Sequence, residues 1–320
     1  KYIQMEQAKQ QMINFKKKAK ESTINTYTRS LEQLTRYMGK KDLDYIQDAQ
    51  GVIKFMDTMK NKVGVPISDS TKKSYLNAII VLLQSQDPPN IDLINQYMKP
   101  RDEYNEKYAQ AQKDSKISEK QKPNFADMDE LQQLLDNMKQ DIKGRKLFQK
   151  DNLNRDERAV VKAYIIFHFL IDLPIRNELA GIKLIGKREY NSLSDDDKKK
   201  DNYIINSRPN YLISLGDYKT NKHHGIKVFI INKKNEVLLK KWFKMMDIKK
   251  GDIIFNLSRT DLSNLLINQS TKYIGKRIST TMIRKARASV NVDTKIEMDN
   301  LADIMTHKLD THTTIYTKKN

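Results

Sequence analysis

Apolar positions recur along most of this chain at helical spacing. Ser22-Thr23 precede Ile24, Tyr27, Leu31, Leu34 and Tyr37/Met38, an i, i+3, i+4, i+7 stripe that predicts a capped amphipathic helix. Val52, Ile53, Phe55, Met56 and Met59 predict a second helix. Ser70-Thr71 open a third, with Tyr75, Leu76, Ile79, Ile80, Leu82 and Leu83, and its start shares the pattern Ser-Thr-x-x-x-Tyr with the first. Pro88-Pro89 end it, and Ile91 to Tyr108 predict a fourth. Residues 21–112 therefore read as a small helical domain. Residues 1–20, polar and rich in Gln and Lys, read as an N-terminal arm, helical or disordered. Residues 113–124 are charged, closed by Pro123, and read as a linker to a second domain over 125–320.

In that second domain Met128 to Met138 predict a helix. Ala159 to Ile171 is apolar almost all round, the mark of a buried helix, and His168 inside it reads as a core histidine rather than a ligand. Pro174 ends this helix and is able to open another. Tyr203-Ile-Ile, Tyr211 to Leu215 and the alternating Ile226 to Asn232 predict strands, with a glycine-bounded hairpin tip, Gly216 to Gly225, between the last two. Val237 to Met246, with Trp242 toward the core, and Leu262 to Ile274 predict helices. The expected fold is mainly α with a small antiparallel β-sheet. Residues 186–202 read as a solvated insertion. Its run Asp195-Asp196-Asp197 reads as a wet loop rather than a metal site.

Charge narrows the function. The 320 residues carry 59 Lys+Arg against 40 Asp+Glu, a net of +19, which calls for a polyanionic partner. Nucleic acid fits better than an anionic membrane surface, because no basic amphipathic helix ends in an aromatic anchor. No apolar run is long enough to span a bilayer, and no secretory segment opens the chain. The absence of cysteine removes disulfides, thiol catalysis and Cys-based zinc sites, and suits a reducing compartment. Because the sequence opens on Lys1, it is expected to be part of a longer product.

Candidate chemistry lies in the second half. Arg176 stands in the apolar stretch Leu173 to Leu184, where an arginine needs a partner, either Glu178 and helix-end carbonyls or a phosphate held in its fork. Lys219 and Lys222 sit at the hairpin tip, with His223 and His224 beside them facing solvent or a DNA groove. Thr281 and Arg284 share a helix face at i, i+3. His307 and Tyr316 are nine residues apart, about two and a half turns, so on one unbroken helix they would point to opposite faces. Asp310 or Thr311 can cap a new short helix that turns Tyr316 back toward His307.

The run from His307 through Asp-Thr-His-Thr-Thr-Ile to Tyr316 resembles the C-terminal motif of the tyrosine recombinases, the phage-integrase family. The stretch around Arg176 resembles that family's first arginine motif, and Lys219 its hairpin lysine. The resemblance implies an N-terminal helical core-binding domain that grips DNA and a C-terminal catalytic domain. It also implies cleavage and rejoining of double-stranded DNA through a 3′-phosphotyrosine on Tyr316, without metal, ATP or other cofactor. Arg176, Arg284 and His307 would hold the scissile phosphate. Lys219, in preference to Lys222, would protonate the leaving oxygen. Further implications are a homotetramer on paired sites, work on a mobile element, and an intracellular location wherever the target DNA lies. The chain departs from the family at three points. Glu178 follows Arg176 by two residues where three is commoner, Thr281 stands where a histidine is usual, and only four residues follow Tyr316. A type IB topoisomerase, which shares the chemistry and also lacks that histidine, and an inactive DNA-binding protein of the same fold are the alternatives.

Overall fold

The computed structural model describes residues 2–61, 63–113, 121–289 and 304–305. The chain divides into two compact units, Lys1–Asp114 and Ser115–Asn320.

The first unit is built of five helices: α1 (Tyr2–Phe15), α2 (Glu21–Tyr37), α3 (Ala49–Thr58), α4 (Asp69–Gln84) and α5 (Ile91–Lys113). The helix α4 is the centre of this unit. Tyr75, Leu76 and the run Ala78 to Leu83 are all buried, and α1, α2 and α5 pack around them. The polar stretch read as an arm folds as α1 and contributes Ala8 and Met12 to this core. Two starts differ from expectation. Ser68, not Ser70-Thr71, caps α4 by accepting from the Thr71 amide, while α2 begins at Glu21, so Ser22 and Thr23 lie inside its first turn. The helix α5 runs on past Tyr108 and accommodates Pro100 in its interior.

The second unit opens with α6 (Met128–Gly144) and α7 (Arg155–Asp172). Capping boxes start both, Asp127 with Glu130 and Asn154 with Glu157. As its all-round apolar sequence predicts, α7 is the buried axis. Then follow β1 (Lys183–Gly186), α8 (Lys187–Ser192), α9 (Asp195–Lys198), β2 (Asn202–Asn206), β3 (Leu212–Leu215), α10 (Asn221–His224), β4 (Lys227–Ile230), α11 (Lys233–Met246), α12 (Arg259–Ile274) and α13 (Thr280–Ala288). The molecule is thus mainly helical with one four-stranded sheet of order β1-β2-β3-β4.

That sheet is mixed rather than wholly antiparallel. β2, β3 and β4 pair antiparallel, but β1 pairs parallel to β2, with Lys183 opposite Tyr203. A parallel pair needs a crossover connection, and the segment read as a solvated insertion supplies it as α8 and α9. Part of that crossover is packed. Tyr190 meets Tyr203 edge-on at 5.8 Å and shares a 2.7 Å hydrogen bond with Ser214 Oγ, covering a small cluster of Ile185, Tyr203 and Ile205. On the opposite face of the sheet Leu184, Ile204 and Ile213 join the main core beside α7. The three aspartates are capped and paired locally. Ser194 caps α9, and Lys198, Lys199 and Lys200 lie against Asp195, Asp196 and Asp197. No group of metal-ligating side chains forms among the described residues. No described helix is long and apolar enough to cross a membrane.

Candidate active site

After Leu173 caps α7, Pro174 opens no further helix. The chain instead makes a turn, with Gly181 at φ +70°. Ile175, Leu179 and Ile182 sink into the core, which fixes the turn and leaves Arg176 half-buried on its other side. Asn177 ties this turn to two helices. Its amide nitrogen donates to the Arg259 carbonyl (3.1 Å) and to Ser263 Oγ (2.9 Å) on α12. Its oxygen accepts from Thr280 Oγ1 (2.9 Å) on α13.

A second amide joins the arginine turn to the hairpin. Buried Asn202 donates to the carbonyls of Glu178 (3.2 Å) and Asp217 (3.1 Å) and accepts from the amides of Gly216 and Asp217 (both 3.0 Å). The crossover also comes so close to the hairpin that a Cβ on Gly216 would fall 1.8 Å from the Lys198 carbonyl oxygen of α9, so only glycine fits there.

Arg284 lies on α13, 1% exposed. Its guanidinium donates to the carbonyls of Pro174 (2.6 Å) and Met305 (3.0 Å). A tight recess collects Arg176, Glu178 and Arg284 with Tyr218 and Leu215. Residues 108 positions apart in the chain (176 and 284) therefore share one site. Glu178 is buried there. Desolvation raises its carboxyl above the usual range, and this outweighs the opposing pull of the Arg176, Arg284 and Arg259 guanidiniums. Its Oε2 accepts no hydrogen bond from the described residues.

The other expected residues are placed as follows. Lys219 is exposed on the turn after β3, and it is its neighbour Tyr218 that lines the recess, its hydroxyl donating to the Gly225 carbonyl at 2.6 Å. Lys222 is exposed on α10, beside His223 and His224. Thr281 is exposed in the first turn of α13, whereas its neighbour Thr280 makes the bond to Asn177. His307 and Tyr316 lie outside the described residues. His168 is the core histidine its sequence setting predicts, set edge-on to Tyr164 at 4.6 Å. Its Nε2 has no hydrogen-bond partner among the described residues, and burial pushes its pKa down to about 4, with Lys234 and Lys139 adding to the fall.

Three contributors escape the sequence reading. Asn177 and Asn202 are ordinary asparagines until the fold brings their partners to them. Arg259, at the start of α12, is held by Asp217 Oδ2 at 2.8 Å and adds a third guanidinium near Glu178. Its position directly after the N-cap Ser258 is the one hint in the sequence.

No family model matches the chain, and no curated protein matches it. Among solved structures, a crystal structure of XerA recombinase aligns over 99% of this chain and 94% of that one, at 12% identity and a TM-score of 0.38.

Proposed function

We propose that this chain is a tyrosine recombinase, a DNA strand transferase that cuts and rejoins duplex DNA through a covalent phosphotyrosine. The observation that carries the reading is the convergence of Arg176 and Arg284 on one recess beside a single buried carboxylate. Guanidiniums in excess over carboxylates in a dry setting suit a phosphodiester. In the proposed reaction the Tyr316 oxygen attacks phosphorus and the bond to the 5′ oxygen breaks. The phenol, whose ordinary pKa is about 10, gives up its proton as the attack proceeds. Lys219 gives a proton to the departing oxygen, with Lys222 as the alternative donor. Arg176, Arg284 and His307 meet the charge that builds on the non-bridging oxygens, and Thr281 offers a hydroxyl where a histidine is more usual. A 5′ hydroxyl from a second duplex then displaces Tyr316, which regains its proton. Neither metal nor nucleotide enters the scheme.

In this reading residues 21–112 grip the DNA as the core-binding domain, 113–124 form the linker, and 125–320 carry the chemistry. The working species is a homotetramer on paired sites of a mobile element, inside whichever compartment holds the target DNA.

The test is a pool of randomised duplexes carrying a nick that lets the leaving strand escape. Denatured adducts are then digested and mapped by mass spectrometry. A deoxyoligonucleotide on Tyr316, absent in Tyr316→Phe, is the expected result. Salt-sensitive DNA binding with no adduct would leave only a binding protein. Relaxation of supercoils by single protomers would point to a type IB topoisomerase.

A further inference from the structure

A groove of about 800 Å³ runs between α7 and α12, within the usual size range of small-molecule sites. It is separate from the recess. On α12, Arg259 and Ser263 face Asn177, while Asp261, Asn264 and Asn268 lie on the opposite side of the helix at about 100° per residue.

One wall is cationic. Arg155, Arg158 and Lys162 fall at i, i+3 and i+7 along a single face of α7. Arg155 is exposed and has no ion-pair partner among the described residues. Arg158 is anchored by Nε to the Leu153 carbonyl at 2.9 Å. Lys162 is more deeply set, its ammonium donating to the Phe255 carbonyl at 2.7 Å. Desolvation first, and Arg158 second, pull its pKa below the ordinary lysine value. An anion in the groove would relieve that repulsion.

The two carboxylates on the rim are already engaged. Asp156 pairs with Arg145 and Lys272, and Asp261 accepts from Ser258 in the α12 capping box. The groove therefore keeps a positive excess. The rest of its lining is of a different kind. Ala159, Leu257 and Leu265 form an apolar floor. Gln269, only 7% exposed, ends there with an Oε1 that accepts no hydrogen bond from the described residues, and a buried acceptor left unpaired is costly.

We propose that this groove binds a single unstacked nucleotide. Its phosphate would lie on Arg155 and Arg158, its base on the Leu257–Leu265 floor, and the Gln269 amide would take the donor edge of the base. Adenine is the best match, because its amino group and N7 pair with a carboxamide through two hydrogen bonds. Such a nucleotide has two sources, a free nucleoside monophosphate or a nucleotide turned out of a DNA strand.

The test uses the full chain, titrated calorimetrically with deoxyadenosine monophosphate, inorganic phosphate and a single-stranded tetranucleotide containing adenine. The single tryptophan gives a second readout, since Lys162 Nζ lies 5.8 Å from the Trp242 ring centre. The expected result is that the monophosphate or the tetranucleotide binds about tenfold tighter than phosphate. Preference for the monophosphate identifies a free ligand, and binding of the tetranucleotide alone identifies a strand-borne one. The double variant Arg155→Gln/Arg158→Gln abolishes both, while Gln269→Leu removes only the advantage over phosphate. A melting temperature unchanged in each variant separates these losses from unfolding. Equal binding of phosphate and nucleotide, no binding of any probe, or indifference to both variants would overturn the assignment. None of these outcomes depends on strand cleavage by Tyr316.

Discussion

The second unit holds two basic sites of opposite construction. In the recess, Arg284 is almost wholly enclosed and its guanidinium donates to two backbone carbonyls. In the groove, Arg155 and Arg158 stand in the open on a helix face. A charge taken out of water must find its partners within the protein, whereas an exposed one leaves them to solvent. The recess arginine is therefore tied into the fold through two bonds, whereas in the groove Arg158 is anchored by Nε to the Leu153 carbonyl and Arg155 has no ion-pair partner among the described residues. A substitution at Arg155 is therefore expected to spare the fold, and one at Arg284 to disturb it.

Four measurements sharpen or break this contrast. The largest effect is expected at Arg284. Arg284→Met leaves the Pro174 and Met305 carbonyls without their donor, and urea unfolding should show a loss of about 3 kcal/mol. A loss below about 1 kcal/mol would mean that the guanidinium is not part of the core's bonding. Next comes the acid response of α7, which supplies residues to the groove. The His168 pKa is lowered on folding from an ordinary value near 6.5 to about 4, so the unfolded chain binds the proton more readily. The contribution of the neutral ring is intact above about pH 6.5 and lost progressively as pH falls toward 4. Stability should be about 2 kcal/mol lower at pH 5 than at pH 8 on this account, and His168→Phe should flatten that part of the profile. An unchanged slope in the variant would assign the acid sensitivity elsewhere.

Asn177→Ala removes three hydrogen bonds that brace the arginine turn, for an expected 1–2 kcal/mol, about the cost of a braced polar contact. If strand cleavage falls no further than the folded fraction does, the brace is structural only. The smallest effect belongs to the groove, where Arg155→Gln should lie within about 0.5 kcal/mol of the parent chain. A larger loss would erase the distinction drawn between the two sites.

Much of the architecture was legible in periodicity. The apolar stripes marked α2, α3, α4, α6, α11 and α12, and the unbroken apolar run of α7 announced its burial. The strands β2, β3 and β4 followed from β-branched segments set between turn residues. The misses have local causes. β1 sits at the end of the stretch that carries Pro174 and Arg176 and was read with it, and its Lys183-Leu-Ile-Gly lacks the β-branched alternation that marked β4. Its parallel pairing follows from the crossover through α8 and α9, which charge alone disguised as a loop. Ser70-Thr71 looked like a cap, but Ser68, two residues earlier, directly precedes the true start at Asp69. At the candidate site, Arg176 and Arg284 stood out because their surroundings are apolar. Asn177, Asn202 and Arg259 did not, since their importance lies in partners 14 to 103 positions away, such as Gly216 for Asn202 and Thr280 for Asn177.

Asn202 has one last implication. A single planar amide, with both its ends occupied, sets the spacing between the turn that carries Arg176 and the one that carries Lys219. Aspartate has the same outline but none of the donors, so it would let go of two carbonyls at once. Lineages descending from this molecule should therefore alter that position rarely, and only together with both flanking loops, so that drift here would come in blocks rather than letter by letter.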